Sequence, residues 1–282
     1  VSLSLAQELD GEIISADSRT IYQGLDIGTA KPSSQVRRRI PHYLIDILNF
    51  DEDYDVARFR HDVEAVIREI HMRGKQPIVV GGSAMYLAAL TGDLFRGPSA
   101  DKTLRARLEA ESNETLYAYL ERIDPEAADR IHPNDRQRLI RAIEVYELTG
   151  EQISELQRSS KNLLLYNFFK IGLRKPRTQL YRDIERRVDA MIASGWIDEV
   201  KELVARGLSP EHQAFQTIGY PEIYAHLNGE IDLEEAVHRI KVSTRHLAKE
   251  QMTWFKRDSE IHWIDVSDRS VEEIVKLILD IL

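Results

Sequence analysis

Residues 76–90 read QPIVVGGSAMYLAAL. A near-continuous apolar run ends at Gly81-Gly82-Ser83, and helix-forming residues follow from Ala84. Such a run, closed by glycines, predicts a strand covered on both faces, which is found mainly in parallel sheets. A parallel sheet needs crossover connections, and the chain supplies one. Residues 56–73 carry Val56, Phe59, Val63, Val66, Ile67 and Ile70 as a helical stripe that stops at Gly74. Two strand candidates precede it, residues 12–15 (EIIS) and residues 42–48 (HYLIDIL). Two more lie downstream, residues 168–173 (FFKIGL) and 261–266 (IHWIDV). Helical patterns cover residues 178–194, 197–206, 219–227, 233–257 and 271–282. The alternation predicts an α/β fold, a parallel sheet flanked by helices.

Between residues 99 and 160 the strand signal vanishes. Residues 101–111, 114–122 and 135–149 read as helices, with Pro125 and Pro133 between them or at their starts. The expected organisation is a core of residues 1–98 and 161–282 with an all-helical insertion at 99–160. Residues 1–9 place Val1, Leu5 and Leu9 on one helical face with no cap before them, as though an αβ unit were cut partway through. The 282 residues are 43% hydrophobic and 30% charged, a balance with ample apolar surface for a core. Lys plus Arg number 38 and Asp plus Glu 47, a formal charge of −9, so nucleic-acid binding must come from a local basic patch on an acidic body. Cysteine is absent, which excludes disulfides, thiol catalysis and Cys-ligated zinc. No apolar run approaches the roughly 18 residues of a membrane span, and no signal peptide is visible.

In open parallel sheets, ligands sit beyond the carboxyl ends of strands. Two such ends carry chemistry here, residues 15–18 (SADS) and 81–83 (GGS). Asp17 is a candidate general base toward an amine or hydroxyl, although an Asp-Ser pair more often caps a turn or helix. Gly81-Gly82-Ser83 offers amide N–H groups and a hydroxyl to an anion such as phosphate, or simply lets a strand and helix pack closely. In residues 22–32 (YQGLDIGTAKP), Gly24 and Gly28 permit tight turns, and Thr29 and Lys31 are candidates for contact with a polar ligand. An ordinary glycine-containing loop is the alternative. Residues 131–141 (IHPNDRQRLIR) set Arg138 and Arg141 three apart, with Arg136 and Gln137 nearby. That surface suits a phosphodiester backbone, while pairing with Asp135 and Glu144 is the stronger reading on composition. Lys241, Arg245, His246, Lys249, Lys256 and Arg257 share one long helical stretch with Trp254 and Phe255, a combination that can bind nucleic acid; Trp254 is assigned to packing. Of the neighbours Arg186 and Arg187, one is expected to point inward and hold an anion bidentately, the alternative being a salt bridge to Asp183 or Glu185.

Taken in order, residues 14–32 (ISADSRTIYQGLDIGTAKP), 79–86 (VVGGSAMY), 131–144 (IHPNDRQRLIRAIE), Gly219-Tyr220 and 247–254 (LAKEQMTW) resemble the bacterial tRNA dimethylallyltransferase family. The resemblance runs over nearly the whole chain. It implies a P-loop-like catalytic core with a helical insertion for tRNA. It implies transfer of a dimethylallyl group from dimethylallyl diphosphate to N6 of the adenosine 3′ of a tRNA anticodon. By the same resemblance, Asp17 is the general base, Ser83 (at a position usually held by Thr) and Arg187 contact the diphosphate, and Mg2+ bridges it. The tRNA anticodon stem-loop is expected to meet Asp17, Ser18, Arg19 and Thr20, then Arg105, then Gln137, Arg138, Leu139, Ile140 and Arg141. Its last contacts are expected on Gln216, Thr217, Ile218, Gly219, Tyr220 and Pro221. A cytoplasmic monomer with no membrane partner is implied.

Family members begin with a strand and a Gly-rich phosphate loop ending in Lys-Ser/Thr, and the helix after that loop matches residues 1–9. That loop is not among these residues, so transfer by them alone is expected to be lost or nearly so. Thr20 stands where the family usually has Gln, Pro221 where a basic residue is common, and Glu250 where Arg is usual. These departures imply altered or weakened tRNA contacts. Three other readings remain open: an adenylate isopentenyltransferase acting on AMP, a P-loop nucleotide kinase with Asp17 as the base in phosphoryl transfer, and a non-catalytic tRNA-binding remnant.

Overall fold

The computed structural model describes residues 1–92, 97–159 and 166–282. The chain divides into two compact units, one of residues 1–54, 61–87 and 168–282, the other of residues 55–60 and 88–167. The boundary expected at residues 160–161 lies outside the described residues.

The first unit is α/β. Strand β1 (Gly11–Ala16) runs between β2 (His42–Tyr43) and β3 (Gln76–Gly81), parallel to both. Ile13 lies opposite His42, and Ala16 lies opposite Gly81. The β-branched pair Ile13-Ile14 and Ala16 are buried, which suits a central strand. Helix α1 (Ser2–Glu8) precedes β1 and the short α2 (Ser34–Arg39) precedes β2. The crossover helix α3 (Val56–Met72) leads to β3, and α4 (Ala84–Thr91) follows it. A second parallel pair joins β4 (Ile171–Arg174) to β5 (His262–Asp265), with Ile171 opposite His262. Leu5 of α1, Ile264 of β5, and Ile274, Val275 and Ile278 of the last helix form one apolar cluster. Ile78 of β3 and Ile171 of β4 pack on that cluster, so it ties the two sheets together.

Two sequence expectations for this unit are corrected. Residues 42–48 do not form one strand. Leu44 and Asp46 take left-handed backbone angles (φ 60° and 57°), and the ladder stops at Tyr43. Asp46 turns aside because its amide donates to the Thr20 carbonyl and its carboxylate meets Lys31 and Arg37. Nor is β3 covered on both faces: Val80 is 37% exposed. Among the described residues only β1 pairs with it, so its other edge lacks a ladder partner.

The second unit is helical among its described residues: α5 (Lys102–Glu109), α6 (Asn113–Ile123), α7 (Pro125–Arg130), α8 (Arg136–Thr149) and α9 (Ile153–Ser159). Asp101, Ser112, Asp124 and Asp135 each accept a backbone N–H three residues on, which satisfies donors that a helix start leaves open. Pro125 takes the first position of α7, where its missing N–H costs nothing. Gly150 ends α8 in the left-handed region (φ 74°). Leu108, Leu116, Leu120, Leu139, Ile143 and Ile153 form its core.

The first unit is completed by α10 (Arg177–Ala193), α11 (Trp196–Ala205), α12 (Tyr220–Leu227), α13 (Leu233–Phe255) and α14 (Val271–Leu279), with a 3-10 turn at Gln213–Gln216. No described helix is long and apolar enough to cross a membrane.

Candidate functional site

Because β1 and β3 are parallel neighbours in register, their carboxyl ends arrive side by side. The Ser83 amide donates to the Ala16 carbonyl at 3.3 Å, and Ser83 Oγ accepts from the Ser18 amide at 3.0 Å. The Asp17 turn and the Gly81-Gly82-Ser83 turn are thus joined. Asp17 Oδ1 accepts from the amides of Arg19 at 2.7 Å and Thr20 at 3.4 Å, which fixes the carboxylate on its own turn. Oδ2 takes part in neither bond. The hydroxyl of Thr20 meets that of Ser15 at 2.9 Å and is buried. Thr20 therefore braces the turn from inside rather than facing a ligand.

Helix α13 closes on this rim. Gln251 Nε2 donates to the Gly82 carbonyl at 2.9 Å. Earlier on α13, Arg245 pairs with Glu185 at 2.6 Å and Lys241 with Asp189 at 2.6 Å, which anchors α13 to α10. Two of the basic residues suspected of binding nucleic acid are thereby engaged in helix pairing. Trp254 is 37% exposed, contrary to the packing role expected of it, because the buried face of α13 is carried by Ala236 and Ile240 in its first half. On α10 both Arg186 and Arg187 are exposed, so neither is the inward arginine. The inward positions belong to Ile184 and Val188. Arg186 pairs with Asp183, and Arg187 remains directed to solvent.

The YQGLDIGTAKP segment turns out to be a clamp. Lys31 is 2% exposed at its side chain, paired with Asp46 at 2.5 Å and Asp26 at 2.9 Å, and it donates to the Tyr22 carbonyl. The Thr29 hydroxyl donates to the Leu25 carbonyl. Neither is available to a ligand, because both satisfy the loop's own polar groups. Glu199 of α11 accepts from the amides of Asp26, Ile27 and Gly28 and from the Tyr220 hydroxyl. Burial, with Glu199 beside it, pushes the Tyr220 phenol far above its ordinary value, so it is a fixed donor. Gln213 holds the other end: its carbonyl accepts from Arg19 Nη1 at 2.8 Å, and its Oε1 accepts from the Tyr22 hydroxyl and the Tyr54 amide. Burial raises the Tyr22 phenol to about 12.

Within residues 216–221, Thr217, Gly219 and Tyr220 are buried, while Gln216 is exposed and Ile218 and Pro221 are partly so. In the helical unit, Glu144 is completely buried and receives Arg105 at 2.8 Å on both oxygens, Arg141 at 2.6 Å and the Asp101 amide at 2.9 Å. Burial opposes its ionisation, but the two arginines outweigh burial and hold its carboxyl below the usual range. Leu139 and Ile140 are core residues, since the helical repeat turns them inward. Gln137 and Arg138 are exposed, and Arg138 pairs with Asp135 at 3.3 Å. Arg136 is tied to Asn113 and to the carbonyls of Glu109 and Glu111.

A sequence model of the IPP transferase family matches residues 20–258. The chain belongs to the IPP transferase family. It is 48% identical over 271 residues to tRNA dimethylallyltransferase 2 of Geotalea uraniireducens, covering 94% of this chain and 87% of that relative. It is likewise 48% identical over 272 residues to the tRNA dimethylallyltransferase of Pelotomaculum thermopropionicum, covering 95% and 87%. Among solved structures, the tRNA isopentenylpyrophosphate transferase of Bacillus halodurans superposes with a TM-score of 0.73 at 40% identity, covering 99% of this chain and 89% of that one. A eukaryotic dimethylallyltransferase acting on tRNA gives a TM-score of 0.85 at 30% identity, covering 99% and 73%.

In this IPP transferase, sequence reasoning joined Asp17 and Ser83 on one rim. It missed Glu199, Gln213 and Gln251. Their partners among residues 19–82 lie 159 to 194 residues away, and no local spacing signals such bonds. The one available hint was that Glu199 and Gln251 stand in helices whose other face is apolar.

Proposed function

We propose that this chain transfers a dimethylallyl group from dimethylallyl diphosphate to N6 of the adenosine 3′ of a tRNA anticodon, releasing diphosphate. One observation carries the reading. Asp17 spends Oδ1 on its own turn, Oδ2 takes part in neither of those bonds, and the turn is tied to the Gly81-Gly82-Ser83 rim through the Ser18 amide and Ser83 Oγ. An exocyclic amine is a weak nucleophile because its lone pair is delocalised into the ring. N6 attacks the allylic carbon, the C–N bond forms as the C–O bond to diphosphate breaks, and the proton on N6 passes to Asp17 Oδ2. Negative charge grows on the departing diphosphate. The Ser83 hydroxyl on that rim is the group suited to meet it. The target base leaves its stack to reach Asp17, as in other enzymes that act on a base.

Among the described residues no three carboxylate or imidazole groups converge on one point. A magnesium ion here would be held mainly by diphosphate oxygens, with Ser83 Oγ as the adjacent protein oxygen, a donor type that Mg2+ accepts. When bound, it neutralises charge on the leaving group. For tRNA, the exposed Gln137, Arg138 and Gln216 and the partly exposed Arg105, Arg141, Ile218 and Pro221 are the accessible members of the expected contact segments.

The test uses the product of the complete coding sequence with an anticodon stem-loop and labelled dimethylallyl diphosphate. Label is expected on N6 of the adenosine, and Asp17→Ala is expected to cut transfer roughly 100-fold or more. Transfer to AMP in preference to the stem-loop, or full turnover by Asp17→Ala, overturns the reading.

A further inference from the structure

We propose that Glu199 is the positioning residue that sets the Gly219-Tyr220-Pro221 turn for tRNA, using the YQGLDIGTAKP segment as its counterweight. The inference rests on the proposed function, in that residues 216–221 are read as a tRNA-contact segment. Glu199 Oε2 accepts from the Asp26 amide at 2.9 Å and the Ile27 amide at 2.6 Å. Oε1 accepts from the Gly28 amide at 3.1 Å and the Tyr220 hydroxyl at 2.7 Å. Three successive amides wrap one carboxylate, so the charge of Glu199 is held by an oriented backbone cradle. The second oxygen then has one direction left to offer, and Tyr220 takes it.

The packing around that contact leaves no slack. Trp196, one turn before Glu199 on α11, lies edge-on to Tyr220 with ring centroids 6.1 Å apart. A Cβ at Gly28 or at Gly219 would collide with the Trp196 indole, and Gly219 also takes a left-handed φ of 99°. The turn is therefore set between an indole wall and a phenol tether. Tyr220 itself is buried, so it touches no substrate. It controls the outward course of Gln216, Ile218 and Pro221, which are the positions that reach solvent. The same arrangement accounts for Lys31. With Asp26 and Asp46 it fixes the loop that supplies the amides.

Glu199→Gln keeps the size of the side chain but leaves one accepting oxygen for two sets of donors. Tyr220→Phe removes only the phenol contact. The readouts are Kd for an anticodon stem-loop by fluorescence anisotropy, KM for the stem-loop and for dimethylallyl diphosphate, and the thermal midpoint. Both variants are expected to weaken stem-loop Kd and KM about tenfold, a loss of about 1.4 kcal/mol. The donor KM should stay within about twofold. The double variant should be no worse than Glu199→Gln alone, since both act on one contact. Additive losses, an equal rise in both KM values, or unchanged stem-loop affinity in Tyr220→Phe overturns the proposal. Tyr220→Phe keeps the test decisive if Glu199→Gln fails to fold. If the parent binds the stem-loop but transfers nothing, the transferase reading fails on its own, and the Kd values still judge Glu199.

Discussion

Gly81 and Gly82 are neighbours with different duties. A Cβ on Gly81 would fall on the backbone carbonyl of Ala16, whereas one on Gly82 would meet the flexible end of Gln251. Backbone in a sheet cannot step aside, so Gly81→Ala must spread β1 from β3. Overpacking of this kind costs about 1–3 kcal/mol. Urea unfolding should show Gly81→Ala at the upper part of that range and Gly82→Ala below about 1 kcal/mol. Equal losses would mean that Gln251 is as rigid as the ladder. The sequence held both readings of this glycine pair, phosphate cradle and close packing, and the structure assigns Gly81 to packing. Lys31 was illegible for a comparable reason. A lysine in a glycine-containing loop reads as solvent-facing until Asp46 is seen to return against it from fifteen positions away.

At the scale of elements, period 3.6 and cap residues made α3, α8 and α13 visible, because each signal lies within one turn of its cause. The stretch at residues 42–48 misled because its apolar alternation is genuine, while the bonds from Thr20, Lys31 and Arg37 that bend it are not local. Helices α7 and α9 are too short for a periodic stripe to declare itself. Within α8, Glu144 sits on the apolar face one turn after Ile140, a place where a carboxylate survives only with full compensation. Arg105 and Arg141 provide it and remain partly exposed, so they can be hydrated if Glu144 is lost. Breaking a buried pair from one side costs about 3–5 kcal/mol, and Glu144→Ala is expected near the low end. The pH dependence follows from the depressed carboxyl. Its contribution is complete above the unfolded value of about 4.3 and fades as pH falls through the lower folded value. Urea midpoints followed by helical circular dichroism should therefore fall steeply below about pH 4 in the parent. Glu144→Gln should be weaker at neutral pH with a shallower acid slope. An identical slope in the two proteins would remove Glu144 from the account.

For the whole molecule, the charge of −9 makes the location of free cations the controlling quantity. Many basic side chains are already committed to carboxylates: Lys31, Arg105, Arg141, Lys170, Lys241 and Arg245 each hold an internal partner. An RNA backbone must then be met by those whose heads face water. Arg138 is the clearest of these in the helical unit, 64% exposed and, among the described residues, paired with Asp135 at 3.3 Å, a surface pair worth little. Arg136, two residues earlier, is consumed by Asn113 and two carbonyls. The two arginines therefore separate under salt. Each phosphate contact contributes about 0.7–0.9 to the slope of log affinity against log salt. Arg138→Ala should flatten that slope by one such contact while leaving the thermal midpoint unchanged. Arg136→Ala should lower the midpoint, because it leaves two carbonyls without their donor, and should keep the slope. The measurement is stem-loop affinity over a series of potassium chloride concentrations, paired with thermal unfolding of each variant. If Arg136→Ala flattens the slope and Arg138→Ala does not, the exposed face of α8 is not where the phosphates lie.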